Sequence, residues 1–300
     1  MTRIIGFYHK NCTDGYGAAY VLHTKFGKAV KLVPYMYGDT ITGVQEGDNL
    51  IFADCSVPPE MAEELLELGA NITIVDHHET AKNAYEGSDL AKKYEGRIDL
   101  TFDMTKSGTT LAWAKYYGDA VPPEVLLYIE DRDLWNKKLP NCDEVYYGLN
   151  AFDWYKDGQL DFSPLALLTN ELVSVGRAVL KQNVQFIDAA WKRMGVLRVT
   201  DELVCPAVNF GEKSLASDTA AMLIERSRCP VAVVFTIHPD SVNFSIRSDG
   251  SVDVSQIAAS YGGGGHKAAA GFSFPLNKGL AFLADRFTQG DQFLCPPLTS

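Results

Sequence analysis

The chain has no excess of positive charge. Its 27 Lys and Arg stand against 38 Asp and Glu, a formal net charge of −11. Binding to long nucleic acid is driven by neutralising phosphates with a basic face, so the balance disfavours a long nucleic-acid track while leaving room for a small basic pocket. There is no Cys-x-x-Cys pair. Cys12, Cys55, Cys142, Cys205, Cys229 and Cys295 are scattered, which suggests neither a zinc knuckle nor a disulfide framework. Scattered cysteines in an acidic chain suit a reducing, cytoplasmic setting. No run approaches ~18 uninterrupted apolar residues, so no membrane span is expected. The opening MTRIIGFYHK has no long apolar segment with a cleavage site, so no secretory leader is expected. Internal repeats and low-complexity tracts are absent as well.

What the chain does have is apolar material for two cores. Hydrophobic residues make up 46% and charged residues 22% of its 300 residues, values of a globular protein with two domains. Short apolar runs at residues 3–8, 49–53 and 71–75 read as strands. Residues 14–26 and 58–68 between them read as helices. Such alternation predicts βαβ units and a doubly wound, mostly parallel sheet. Residues 105–117, with Ser107 as cap, and 122–130 are further helices, and 160–194 is a mostly helical connector. After Gly195 the pattern changes to strands at 196–199, 207–210, 231–237 and 242–248, with a helix at 217–226. Four glycines, His266, a small-residue helix start and a strand at 271–274 follow. The expected organisation is an α/β chain with a larger domain at 1–190 and a smaller α/β domain at 191–300.

Ligands of open α/β sheets bind off the carboxyl ends of the strands. The ionisable residues expected there are His9, Asp14, Asp54, Asp76, His77, His78 and Asp131. Four carboxylates in one crevice repel each other unless cations lie among them. Mixed His and Asp donors suit Mn²⁺, Fe²⁺, Co²⁺ or Zn²⁺ better than Ca²⁺, and their number suits two ions that clamp a phosphoryl group. A single Asp after a strand is usually a cap or turn residue. Asp54 after one apolar strand and Asp76-His77-His78 after the next are hard to explain that way. His23 and His238 read as ordinary histidines.

The segment Val75-Asp76-His77-His78 resembles the signature of the DHH phosphoesterase superfamily. His9 to Gly15 is similar to its first motif, Asp54 to its second, and Asp131 in Ile129-Glu130-Asp131-Arg132-Asp133 to its fourth, with Asp133 as competitor. GGGGHKAAAGF at 262–272 resembles the hallmark of the DHH-associated C-terminal domain. The motifs fall in the family's order over almost the whole chain.

The resemblance implies a two-domain fold with the active site in the cleft between domains. It implies hydrolysis with two Mn²⁺ ions, Mg²⁺ or Co²⁺ being substitutes, and it allows a homodimer. The implied metal ligands are His9, Asp14, Asp54, Asp76, His77 and Asp131, and the implied catalytic residues are Asp76, His77 and His78. The expected reaction is cleavage of short linear oligonucleotides or dinucleotides to mononucleotides. Pyrophosphatase or exopolyphosphatase activity and single-stranded DNA exonuclease activity are the alternatives, and a metal-dependent nucleotide sensor is the non-enzymatic one. No membrane partner is expected.

One departure stands out. Many family members carry two aspartates in the first motif, separated by one residue, and Cys12 stands at the first of these positions. Cys12, Asn11 or His9 fills that contact, or one metal is held more weakly, or Cys12 is a small packing residue.

Substrate-binding candidates lie in the second domain. Gly263, Gly264 and Gly265 let backbone N–H groups approach an anion, and a helix starting after Gly265 would add its dipole. His266 is a hydrogen-bond donor beside them. Apolar alternation at Val242, Phe244 and Ile246 places Arg247, next to Ser248, on the opposite strand face, where its fork suits a phosphate.

Overall fold

Five short runs rich in Ile, Val, Leu and Phe become the strands of one sheet: β1 (Ile4–His9), β2 (Val30–Tyr35), β3 (Asn49–Ala53), β4 (Asn71–Asp76) and β5 (Ile98–Phe102). The computed structural model describes residues 2–289, and they divide into two units between Leu180 and Lys181. This sheet belongs to the first unit. Its order is β2-β1-β3-β4-β5, and every neighbouring pair is parallel. Side chains alternate across a strand, and β3 shows the result. Leu50 and Phe52 join Leu65, Leu66, Ile72 and Ile74, while Ile51 and Ala53 pack with Ala18 and Leu22. Both faces are therefore covered, as parallel sheets require. Each such fully buried aliphatic or aromatic side chain is favoured by about 1.5–3 kcal/mol over exposure.

The covering helices are α1 (Thr13–Phe26), α2 (Pro59–Glu67), α3 (Glu79–Glu86), α4 (Leu90–Lys93), α5 (Gly108–Tyr117), α6 (Glu124–Asp133) and α7 (Cys142–Asn150). Proline opens α2, where no N–H is needed. Ser107 caps α5 by accepting the Thr110 N–H at 3.4 Å. Residues of α2, α3 and α4 fill one face of the sheet, and residues of α1, α5, α6 and α7 build the core on the other. The sequence reading gives β1, β3 and β4 but neither β2 nor β5. Both are edge strands, where partly exposed residues, and Pro34 in β2, interrupt the apolar run. After a small hairpin of β6 (Tyr155–Lys156) and β7 (Gln159–Leu160) comes α8 (Thr169–Trp191). The division at residue 180 lies inside α8, and the boundary read from sequence, 190/191, lies at its end.

The second unit is a mixed sheet of β8 (Gly195–Arg198), β9 (Val204–Asn209), β10 (Val231–Ile237), β11 (Ser241–Ser248), β12 (Gly264–His266), β13 (Ala269–Pro275) and β14 (Phe287–Gln289). Its order is β12-β13-β11-β10-β9-β8-β14, with β9 and β10 parallel and the other pairs antiparallel. The helices are α9 (Ala216–Ser227), α10 (Val254–Ser260) and α11 (Leu276–Arg286). Val242, Phe244 and Ile246 are all buried in the core, where Phe244 stacks on Phe272 at 4.8 Å. The helix expected after Gly265 does not form. Gly264 to His266 instead pair as an edge strand with β13. Gly263 lies so close to β13 that a Cβ would strike the Gly271 carbonyl and come within 2.7 Å of Phe272 Cβ. The glycines thus serve strand packing, for which a run of weak helix formers is better suited. Of the cysteines, Cys12, Cys55, Cys142 and Cys205 are free thiols, and Cys295 lies outside the described residues. No helix among the described residues is long and apolar enough to cross a membrane.

Candidate metal centre

The chain leaves β1 towards β2 and leaves β3 towards β4, in opposite directions along the sheet. The carboxyl ends of β1 and β3 therefore flank a switch point, where such sheets open a crevice. His9 is the last residue of β1. Asp54 follows β3 with φ of 60°, a left-handed backbone that Asp tolerates better than most residues. Its N–H is held by the Val75 carbonyl at 3.0 Å. Asp14 sits in the first turn of α1, and the N-terminus of α5 is directed at it. The Gly108 and Thr109 N–H groups donate to its two carboxylate oxygens at 2.6 and 2.9 Å. This approach requires glycine at 108, because a Cβ there would lie 2.6 Å from Asp54 Oδ1.

The donor atoms form two sets around Asp54. His77 Nε2 lies 3.1 Å from Asp54 Oδ1, 3.4 Å from Asp14 Oδ2 and 3.6 Å from Asp133 Oδ2. On the other side Asp54 Oδ2 faces His9 Nδ1 at 3.4 Å. The ligand atoms of His9, Cys12 and Asp54 all lie within 4.8 Å of one another, as do those of Asp14, His77 and Asp133. Charge-assisted hydrogen bonds are typically about 2.7–2.9 Å. Metal–ligand bonds of about 2.0–2.2 Å place two donors on one ion about 3.0–3.6 Å apart. All four separations fall in the second range. Asp54 Oδ2 is buried without a hydrogen-bond partner. The residues fit a pair of divalent cations that share Asp54.

The electrostatics agree. Burial and the charges of Asp54 and Asp133 raise Asp14 well above the usual carboxylate range, against the opposing pull of His77 and the Thr109 N–H. Burial works against protonation of His77, yet the bond to Asp54 and the charges of Asp133 and Asp14 push it up to about 11. Burial would raise Asp54 too, but the bond to His77 and the nearby His9 imidazole hold it well below the ordinary value. A pocket that gathers protons on a histidine and a carboxylate is short of positive charge, which a cation supplies.

Residues 203–289 match the family described as DHHA1 domain. The match covers less than a third of the chain and lies within its second unit. The second unit carries a DHHA1 domain. An uncharacterised protein of Acanthamoeba polyphaga mimivirus is 23% identical over 297 residues, covering 91% of this chain and 68% of that one. An exopolyphosphatase-related protein from Bacteroides fragilis has a similar fold, with a TM-score of 0.56 at 12% identity, covering 95% of this chain and 91% of that one. A pGpG-specific phosphodiesterase from Vibrio cholerae matches with a TM-score of 0.47 at 12% identity, covering 95% of this chain and 97% of that one.

Against the DHH motifs, His9, Asp14, Asp54 and His77 come together as expected from sequence. Asp131 does not join them. Its two carboxylate oxygens accept the Lys138 and Leu139 N–H groups at 3.0 and 2.9 Å, closing the loop after α6. Asp133 takes its place in the cluster. Residues two apart on a helix differ by about 200° in direction, so one of the pair must turn away. Glu130 is three residues before Asp133 and shares its face. It accepts the Ser107 N–H at 3.1 Å and the Thr110 hydroxyl, beside the α5 terminus that holds Asp14. That i, i+3 spacing was the signal for Asp133 in the sequence.

Asp76 is near the donors, but its oxygens are engaged. Oδ1 accepts His78 Nδ1 at 2.7 Å and the His77 N–H at 2.8 Å, and Oδ2 accepts the Ser56 hydroxyl at 2.5 Å. Its carboxyl is held down at about 2, burial being outweighed by His78 and Ser56. In this geometry Asp76 orients the His77-His78 turn, a role not read from sequence; neither were those of Ser56, Gly108 and Thr109.

The second-unit candidates occupy one sheet. Arg247 lies on the face opposite Ile246. Its Nε and Nη2 reach Ser217 Oγ at 3.2 and 2.9 Å, and Nη1 reaches the Ile246 and Ala270 carbonyls at 3.0 and 3.2 Å. Ser248 Oγ donates to the Val252 carbonyl at 2.7 Å within a turn. Gly264, Gly265 and His266 form β12, and Gly263 precedes it.

Proposed function

We propose that this chain is a metal-dependent phosphodiesterase that hydrolyses short linear oligonucleotides or dinucleotides to mononucleotides with two divalent cations, Mn²⁺ among them. The observation that carries the reading is Asp54, whose two oxygens face different donor sets at 3.1 and 3.4 Å. Phosphoryl transfer with two ions uses such a shared carboxylate to fix their spacing.

Bound at these residues, the cations supply Lewis acidity and a water of lowered pKa. Asp14, His77 and Asp133 would hold one ion and His9 and Cys12 would flank the other, with Asp54 available to both. Asp76 accepts the proton-bearing Nδ1 of His78, which leaves Nε2 to hold or give a proton at the departing oxygen. Arg247, Ser248, the glycines at 263–265 and His266 hold the remainder of the substrate, the Arg fork suiting a phosphate. The net charge of −11 supports a short substrate over a long strand.

The test is parallel incubation of the protein, loaded with Mn²⁺ and Co²⁺ together, with a labelled dinucleotide, a long single strand, a cyclic dinucleotide and polyphosphate. The expected result is fastest turnover of the linear dinucleotide. Phosphate release from polyphosphate alone overturns the reading, as does tight nucleotide binding with no turnover of any substrate.

A further inference from the structure

The two donor sets differ in chemistry. Asp14, His77 and Asp133 offer one imidazole nitrogen and two carboxylates, and His9, Cys12 and Asp54 offer nitrogen, sulfur and oxygen. Asp54 is 1% exposed, and its Oδ2 has no hydrogen-bond partner and faces His9 Nδ1 at 3.4 Å. That separation is the edge of a tetrahedron with bonds of about 2.1 Å. Cys12 immediately precedes α1, next to Thr13 and Asp14, and its sulfur completes the triangle of donors within 4.8 Å. A carboxylate donor is hard and suits Mn²⁺ or Mg²⁺, whereas a thiolate is soft and selects Zn²⁺, Co²⁺ or Fe²⁺.

We infer that Cys12 is a thiolate ligand and that the centre is chemically asymmetric: a thiophilic cation at His9, Cys12 and Asp54, and a hard cation such as Mn²⁺ at Asp14, His77 and Asp133. The inference rests on the two-cation reading above and deepens it by dividing the metal preference between subsites. Binding replaces the S–H bond by an S–metal bond and releases that proton to solvent. A Mn²⁺-only preparation then underfills the sulfur-containing subsite.

The experiment is anaerobic titration of the metal-free full chain with Co²⁺ up to two equivalents, following bound metal, proton release and near-ultraviolet absorption. The wild-type protein is expected to show a thiolate-to-cobalt charge-transfer band that Zn²⁺ displaces and Mn²⁺ does not. Cys12→Ser loses the band, whereas Asp14→Asn, altered in the other subsite, keeps it. Cys12→Asp has no band, and its preference for Zn²⁺ over Mn²⁺, read by competition, falls at least tenfold. Two bound Co²⁺ ions without a band in the wild type, or a band that persists in Cys12→Ser, overturns the thiolate assignment alone. Failure to bind any Co²⁺, Zn²⁺ or Mn²⁺ overturns both it and the two-cation reading.

Discussion

Asp131 and Asp133 stand two residues apart at the end of one helix and do different work. Asp133 faces His77 at 3.6 Å, and Asp131 faces the loop amides of Lys138 and Leu139 at 3.0 and 2.9 Å. Their substitutions should therefore separate binding from stability. Asp133→Ala is expected to weaken one metal site by more than the roughly 10–100-fold typical of an outer-shell change, with little change in the melting temperature. Asp131→Ala is expected to cost about 1–2 kcal/mol, because it leaves two part-buried amides without their charged acceptor, with two metals still bound. Calorimetric titration and thermal denaturation of both variants check this. Loss of metal in Asp131→Ala would reverse the assignment.

Gly108 sets how closely α5 approaches the centre. Alanine is up to about 1 kcal/mol better than glycine within a helix. Here its Cβ would lie 2.6 Å from Asp54 Oδ1, and overpacking of this kind costs about 1–3 kcal/mol. The steric effect should win. Gly108→Ala is expected to be net destabilised in urea and to bind metal more weakly, because Asp54 must move. An equally stable variant with unchanged metal affinity would show that the α5 terminus does not set the position of Asp54.

The sheet's central strands and three of its four motifs were legible because each couples a continuous apolar run to a polar residue at its end. Leu50 to Ala53 followed by Asp54 is such a unit, and Ile72 to Val75 followed by Asp76 is another. The edge strands were not legible. Residues such as Lys31 and Asp99 face solvent there, so no buried run marks them. The choice between Asp131 and Asp133 turns on helix phase, which a motif alone does not carry. The glycine run was misread because local propensity says only where the backbone is permissive. Pairing with β13, a tertiary contact, decides that it is a strand.

Asp76 gives the metal-free protein a specific acid sensitivity. Its carboxyl is held at about 2 against an ordinary 3.8. A depressed carboxylate stabilises the fold above the unfolded value and loses that contribution as pH falls through the folded one. The window is therefore from about pH 4 down to about pH 2, and the contribution at neutral pH is about 2 kcal/mol. Urea midpoints in chelator should fall more steeply across this window for wild type than for Asp76→Asn. The two curves should converge at the acid end. Parallel curves would mean that His78 and Ser56 do not hold the carboxylate in its charged form.

Arg247 is held before any substrate arrives, by Ser217 and by the Ile246 and Ala270 carbonyls. A preorganised guanidinium loses less freedom on meeting a phosphate than a free side chain does. A hydrogen bond to a charged group contributes about 1.5–3 kcal/mol, so Arg247→Ala is expected to raise KM for a dinucleotide by roughly 10–100-fold, with kcat changing far less. Lysine keeps the charge but cannot reach Ser217 and two carbonyls from one planar fork, so Arg247→Lys should recover little of the loss. Steady-state kinetics alongside metal analysis checks both points. A fall in kcat with unchanged KM, or a loss of bound metal, would remove Arg247 from substrate binding.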